Sequence, residues 1–250
     1  MEALCDLLFE LSNEDRLKIL LELEKGPKNL TRIAKDLDFT SQGTSRNIAR
    51  LVETSIIRRN SDGEYELTPY GGVSLKLLCS YEFLSRNRQY FLGHDASVLP
   101  YQFTNRLGEL SASSFQRDFI TNYVLEGEMA KQAEKYIYSM GDQFNVHSPP
   151  IIAEKLKAGV EIRSIFPETV VPPPGFRPAA GVDRRLLPKV QVGITMTDKK
   201  AMFGLPTFDG KMDGENFVSV DPKFRRWCLD LFNYYWDQGK PIVGAVPNLT

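Results

Sequence analysis

Between Leu30 and Leu67 the hydrophobic period of the chain changes twice, and few folds accommodate the result. Ile33, Ala34 and Leu37 lie on one face of a helix predicted over Leu30–Leu37. After a turn at Asp38-Phe39, Thr40 is placed to cap a second helix that runs to about Thr54, with Ile48, Leu51 and Val52 as its buried stripe. The period then drops to two. Ile56, Ile57 and Arg59 lead into Asn60-Ser61-Asp62-Gly63, and Glu64-Tyr65-Glu66-Leu67 return, which is the signature of a β-hairpin with an Asp-Gly turn.

Upstream, Leu4, Leu7, Leu8 and Leu11 share a helical face. Ser12 follows as an expected N-cap with Asp15 three residues on, then Leu17, Ile19, Leu20, Leu21 and Leu23, and Gly26-Pro27 end the helix. A leading helix, three further helices and a hairpin spell a winged helix-turn-helix over residues 1–72. Residues 73–92 read as one amphipathic helix with Val73, Leu77, Tyr81, Leu84 and Phe91 near one face. Its apolar side either packs on its own domain or pairs with a second copy of the chain.

From residue 93 to 250 the pattern is α/β. Met129, Ala133, Tyr136, Ile137 and Met140 fit a helix ended by Gly141; a strand is expected over residues 143–147, a helix from Ser148-Pro149 to Gly159, and a strand over Val160–Phe166. Residues 167–188, rich in proline and carrying Arg177, Arg184 and Arg185, read as a long loop. Val190, Val192, Ile194 and Met196 alternate with small and polar residues as a half-buried strand, and Ala201–Leu205 returns beside it. Asp221-Pro222 starts a helix whose Phe224, Trp227, Leu231 and Tyr235 form a core stripe, leaving Tyr234 or Trp236 for a pocket or a dimer contact. The expected fold is thus an α+β winged helix-turn-helix joined by a long helix to an α/β effector domain.

Charge narrows the function. Lys and Arg number 31 against 32 Asp and Glu, so the whole chain is close to neutral. Yet the stretch Lys28–Arg59 holds seven basic residues against three acidic ones, about +4. Thr40, Ser41, Gln42, Thr44, Ser45, Arg46, Asn47 and Arg50 occupy the first turns and the polar face of the expected recognition helix, and their side chains suit base edges and phosphates. Arg58, Arg59 and Ser61 on the wing would position the protein along the backbone. Gly43 leaves room for close approach.

Catalytic signatures are sparse. The two histidines, His94 and His147, lack the His-x-Lys spacing of phospholipase-D chemistry, and neither a GxSxG elbow nor a P-loop occurs. Three scattered cysteines and two histidines predict no metal site, no cofactor and a reducing, cytoplasmic setting. No apolar run is long enough for a membrane span, and the N-terminus has no secretory pattern. A ligand site is expected instead beyond the carboxyl ends of the βαβ strands, at His147, Ser148 and Phe166, with Arg177, Arg184 and Arg185 able to close over it.

The string LTRIAKDLDFTSQGTSRNIARLVETSIIRR resembles the helix-turn-helix of prokaryotic winged-helix regulators of the ArsR/MarR-like kind, with Asp38 and Ser55 where those families often place glycine. Residues from His94 to Trp236 resemble the effector domain of archaeal methanogenesis-regulatory proteins. The features that carry this second resemblance are Leu99-Pro100, the Leu107–Leu110 helix, KLKAGVEIRSIFPE, TDKKAMFGLP and FRRWCLDLFNYYW. That family implies a fold related to phospholipase-D-like sensor domains that have lost catalysis. The two resemblances imply a homodimeric transcription factor that reads double-stranded DNA and responds to a small-molecule or protein effector. A phosphodiesterase-like enzyme and a winged-helix protein-interaction module are the alternatives.

Overall fold

The computed structural model describes residues 1–145, 148–174 and 179–242. It divides into two compact units, Met1–Cys79 and Ser80–Thr250. The division falls inside a helix rather than at an irregular linker. No helix among the described residues is long and apolar enough to cross a membrane.

The first unit contains α1 (Glu2–Leu11), α2 (Glu14–Glu24), α3 (Leu30–Leu37), α4 (Ser41–Glu53), the hairpin β1 (Ile57–Arg59) and β2 (Tyr65–Leu67), and the start of α5 (Pro69–Arg86). This is the winged helix-turn-helix order. Its core gathers Leu11, Ile19, Leu20, Leu23, Ile33, Ile48, Leu51, Ile56, Ile57 and Leu75. Helix starts follow local chemistry. Thr40 accepts the Gly43 amide, and Asn29 accepts that of Arg32. At α2 the cap is Asn13, which accepts from the Arg16 amide, rather than Ser12, whose hydroxyl turns back to the Phe9 carbonyl. Val52, expected in the core stripe of α4, is 40% exposed.

Both positions where glycine was absent take the left-handed conformation, Asp38 at φ 55° and Ser55 at φ 58°. The wing is wider than a two-residue turn. Arg59 pairs with Tyr65, and Asn60 Oδ1 accepts from the amides of Asp62 and Glu64 while Gly63 sits at φ 83°. The segment expected to end the domain begins α5 instead, because Pro69 suits a first helical turn and Thr68 Oγ1 accepts the Gly71 amide. The same hydroxyl donates to the Ser55 carbonyl at 2.7 Å. The helix breaks at Asn87, so the expected single helix is two, α5 and α6 (Arg88–Gly93).

The second unit adds α7 (Tyr101–Thr104), β3 (Ser114–Gln116), α8 (Phe119–Gln132), β4 (Tyr136–Met140), α9 (Ser148–Lys157), β5 (Glu161–Pro167), β6 (Asp183–Leu187), β7 (Gly193–Thr197), β8 (Ala201–Gly204), β9 (Asn216–Ser219), α10 (Pro222–Trp236) and β10 (Lys240–Pro241). The eight strands form one mixed sheet in the order β10-β6-β5-β4-β7-β8-β9-β3. β4, β5 and β6 run parallel; the other pairings are antiparallel. The sequence expectation is corrected at three places. Tyr136–Met140, expected as helix, is a central strand. Gln143–Asn145, expected as strand, is irregular, and β6 lies inside the expected loop 167–188. The βαβ unit is therefore β4–α9–β5, with the expected helix and second strand and a first strand that lies earlier than expected. Phe224, Trp227, Leu231 and Tyr235 of α10 are buried as expected, and so is Trp236.

Two substitutions test the corner between α4 and the wing. Ser55→Gly relieves a left-handed residue and should raise stability by about 0.5–1 kcal/mol. At Gly71 a Cβ would lie 2.0 Å from the Ile56 carbonyl oxygen, so Gly71→Ala should cost at least about 1–3 kcal/mol. Denaturant midpoints moving in these opposite directions would bear out the corner; equal shifts would not.

Candidate functional site

In the first unit the candidate surface is the exposed edge of α4. Its amphipathic period decides which polar residues reach solvent. Ser41, Gln42, Ser45 and Arg46 are exposed, and none of their side chains makes a hydrogen bond or ion pair among the described residues. Thr44 and Asn47, expected on the same face, are 0% and 6% exposed. Thr44 Oγ1 donates to the Thr40 carbonyl. Both are buried, so they do not share the exposed edge formed by Ser41, Gln42, Ser45 and Arg46. Thr40 is committed to its cap, and a Cβ at Gly43 would sit 3.0 Å from that capping hydroxyl.

The local positive charge is also thinner than its count. Arg50 pairs with Glu10 of α1 and reaches Glu53 at 3.5 Å. Arg58 binds Glu66 at 2.7 Å. Lys28 meets Glu22 and Asp36, and Arg32 meets Asp36. The Glu10 carboxylate raises the Arg50 guanidinium pKa through its hydrogen bond and charge. Arg59 turns Nε to the Gly63 carbonyl at 3.0 Å and stays exposed, as does Ser61 at the wing tip. Lys35, Arg46 and Arg59 are the basic groups of Lys28–Arg59 that meet no carboxylate among the described residues.

In the second unit the candidate site is a cavity of about 220 Å³ between the sheet and the helices α8 and α9. Its floor is one cross-strand row in which Arg184 pairs with Ser164, Ser164 with Ser139, Ser139 with Thr195, and Thr195 with Met202. All five line the cavity, because residues in register on neighbouring strands point to the same face. Ser139 and Ser164 hydroxyls lie 3.0 Å apart. From α8, Glu126 accepts from Thr195 Oγ1 at 3.1 Å. Burial pushes its carboxyl above the ordinary glutamate range, with the Thr195 and Asn145 hydrogen bonds pulling the other way. Asp142, on the loop after β4, is also raised by burial.

Of the expected ligand residues, Ser148, Phe166 and Arg184 line this cavity. Ser148 Oγ donates to the Asn145 carbonyl, and the Phe166 ring stacks on Phe144 at 4.8 Å. His147 and Arg177 lie outside the described residues. Arg185 does not belong to the cavity. Successive strand residues face opposite ways, so Arg185 sits 4.4 Å over the Trp236 ring and donates to the Trp236 carbonyl at 2.7 Å. Trp236 is thereby a packing residue. Sequence reasoning missed Glu126, Asn122, Ser139, Ser164 and Thr195. The aromatic and alternating run Tyr136-Ile137-Tyr138-Ser139-Met140 was the available signal, and reading it as helix hid the row.

His94, Asp213 and Glu215 bring one ligand atom each within 4.8 Å of one another. Both His94 nitrogens are already engaged, Nδ1 with the Tyr90 carbonyl at 2.8 Å and Nε2 with Asp213 Oδ2 at 3.0 Å, and the ring stacks on Tyr90. A metal would have to break the His94–Asp213 contact, so the cluster is read as a clamp on the buried ring.

Glu126 also makes stability depend on pH. The folded-state carboxyl holds its proton more tightly than the unfolded one, so this group favours folding at low pH. That advantage is lost as pH rises from the unfolded pKa through the folded one. The expected outcome is a melting temperature for Glu126→Gln that gains on the wild type as pH moves from about 5 to about 8. A constant gap would show that the carboxyl is solvated.

No protein-family model matches the chain, and neither does any curated protein sequence. Among solved structures, the chain is similar to TrmBL2, described as an archaeal chromatin protein with a novel mode of DNA binding, at 14% identity and a TM-score of 0.43, covering 92% of this chain and 94% of that one. It is also similar to IdeR of T. acidophilum, at 17% identity and a TM-score of 0.23 over 84% and 98% of the two chains. The methyltransferase CalO1 matches at 13% identity and a TM-score of 0.26 over 75% and 64%. At these scores the likenesses assign no function, and the reading of this chain rests on its own residues.

Proposed function

We propose that the chain is a DNA-binding transcriptional regulator whose second unit receives a small-molecule signal. The observation that carries this reading is the edge of α4. Its Ser41, Gln42, Ser45 and Arg46 form a contiguous exposed set with no intramolecular partner among the described residues. Groups of this kind on the first turns of a helix suit the major groove, where arginine reads guanine and glutamine reads adenine. Arg59 and Ser61 on the wing, with Lys35, would meet phosphates and fix the register.

Two copies are part of the proposal. One helix-turn-helix reads too few base pairs for a specific site, and dimers place two recognition helices about one turn, ~34 Å, apart. The apolar residues expected near one face of α5 are exposed, with Val73 at 59% and Leu77 at 60% in the first unit and Tyr81 at 67% in the second. A second copy of α5 is the partner we assign to them. Binding of a signal then acts by favouring either the DNA-competent or the incompetent form, which requires different affinities for the two. The reading assigns no reaction to either unit.

Arg46→Ala should weaken binding to the preferred DNA sequence by about 5–100-fold while leaving non-specific binding less affected. Arg58→Ala, whose guanidinium is tied to Glu66, should cost less and do so evenly across sequences. Fluorescence anisotropy across a salt series would separate the two. Specific affinity unmoved by Arg46→Ala would remove α4 as the reading element.

A further inference from the structure

An acid, Glu126, and a base, Arg184, line the cavity of the second unit, and neither meets an oppositely charged side chain among the described residues. Arg184 directs Nη2 to the Ala179 carbonyl at 2.8 Å and Nη1 to the Val182 carbonyl at 3.4 Å, and meets no carboxylate among the described residues. Burial works against its charge. A guanidinium carries five N–H donors, so most of its capacity is unused by these two carbonyls. At the other end, Glu126 meets Thr195 and Asn145 but no lysine or arginine among the described residues.

One turn before Glu126 on the same helix stands Asn122, 3% exposed and also lining the cavity. Its amide nitrogen donates to the Gln116 and Gly214 carbonyls at 3.2 and 2.6 Å, which fixes the orientation of the amide. Its Oδ1 is buried with no hydrogen-bond partner among the described residues. An unmet buried acceptor costs stability unless something donates to it. The Glu126 carboxyl is the acid that this helix brings to the cavity, and Asp142 adds a second acid to the lining.

The row between the two ends is polar and in register. Arg184 on β6 and Thr195 on β7 are three strand spacings apart, about 14 Å between backbones, with the Ser164 and Ser139 hydroxyls between them. An engineered cavity of about 150 Å³ holds benzene, so 220 Å³ suits a molecule of amino-acid size.

We infer that this cavity binds a small zwitterion, an amino-carboxylate, with its ammonium against Glu126 and its carboxylate against Arg184 and the serine hydroxyls. The inference deepens the signal-receiving role proposed for the second unit and names its ligand class. A neutral or purely anionic ligand would leave Glu126 and Asp142 facing it without compensation. A purely cationic one would leave Arg184 unpaired.

The test is direct binding to the full chain, by calorimetry and by thermal shift, of the series from glycine to 6-aminohexanoate together with the common α-amino acids. Propylamine and propionate serve as single-charge controls. At least one zwitterion should bind saturably and, at about 100 times its Kd, raise the melting temperature by about 5 °C. Propylamine and propionate should bind at least about 10-fold more weakly. Glu126→Gln and Arg184→Met should each reduce zwitterion affinity by about 10-fold or more. If either variant fails to fold, Glu126→Asp and Arg184→Lys, which keep the charges and alter only their reach and geometry, should each still lower zwitterion affinity relative to the wild type. No saturable binding by any member of the panel, or a control that binds as well as the best zwitterion, would overturn the inference. DNA binding by the same preparation is measured separately, so loss of the regulator reading and loss of this one are distinguishable.

Discussion

The carboxylate of Glu10 is buried in the first unit, where Arg16 lies 3.2 Å away and Arg50 of α4 closes on it from the other side. A charge in that position must be met in place, because removing it from water costs more than a single loose contact returns. Arg16 meets it and in addition donates to the Phe9 and Glu10 carbonyls that end α1. One acid thus ties α1, α2 and α4 together through two arginines. The tie has a consequence for recognition. It withdraws Arg50 from the basic edge of α4 and leaves Arg46 as the arginine of that helix that meets no partner among the described residues. If this edge reads DNA as proposed, base contacts rather than a broad positive field would supply its affinity.

In the second unit the organising constraint is the two-residue period of the sheet. It sends Arg184 to the cavity and Arg185 to the opposite face, where Arg163 and Arg185 lie 5.1 and 4.4 Å over the ring of Trp236. The apolar face is filled by α10 with Phe224, Trp227 and Phe232. The other face carries the polar row from Arg184 to Thr195 under α8. This sheet is packed tightly on one side and left chemically unfinished on the other.

Much of the first unit was legible because short-range signals decide it. The span Leu30–Leu37, the Thr40 cap and the hairpin strands all depend on residues within a few positions of one another. The burial of Thr44 and Asn47 was not legible. Both are polar, and their inward placement follows from the helical phase set by Ile48 and Leu51 together with the packing of other helices. The second unit was harder. Met129, Ala133 and Ile137 have helical spacing, yet Gln132 ends α8 and Tyr136 opens a central strand, so a run buried on both sides satisfied the wrong period. Once β4 was misplaced, the register joining Ser139, Ser164, Thr195 and Arg184 could not be seen. The partnership of Glu126 with Thr195 spans 69 residues, beyond any local pattern.

The central claim is that two copies of α4 read DNA, and enrichment of random duplexes by the full-length protein tests it most directly. The account predicts a recovered consensus of two inverted half-sites spaced by about one helical turn, 10–10.5 bp between centres. It also predicts that the consensus loses one guanine-containing position in each half-site when Arg46→Ala replaces the wild type. Recovery of no sequence, or of one that Arg46→Ala leaves unchanged, would contradict it.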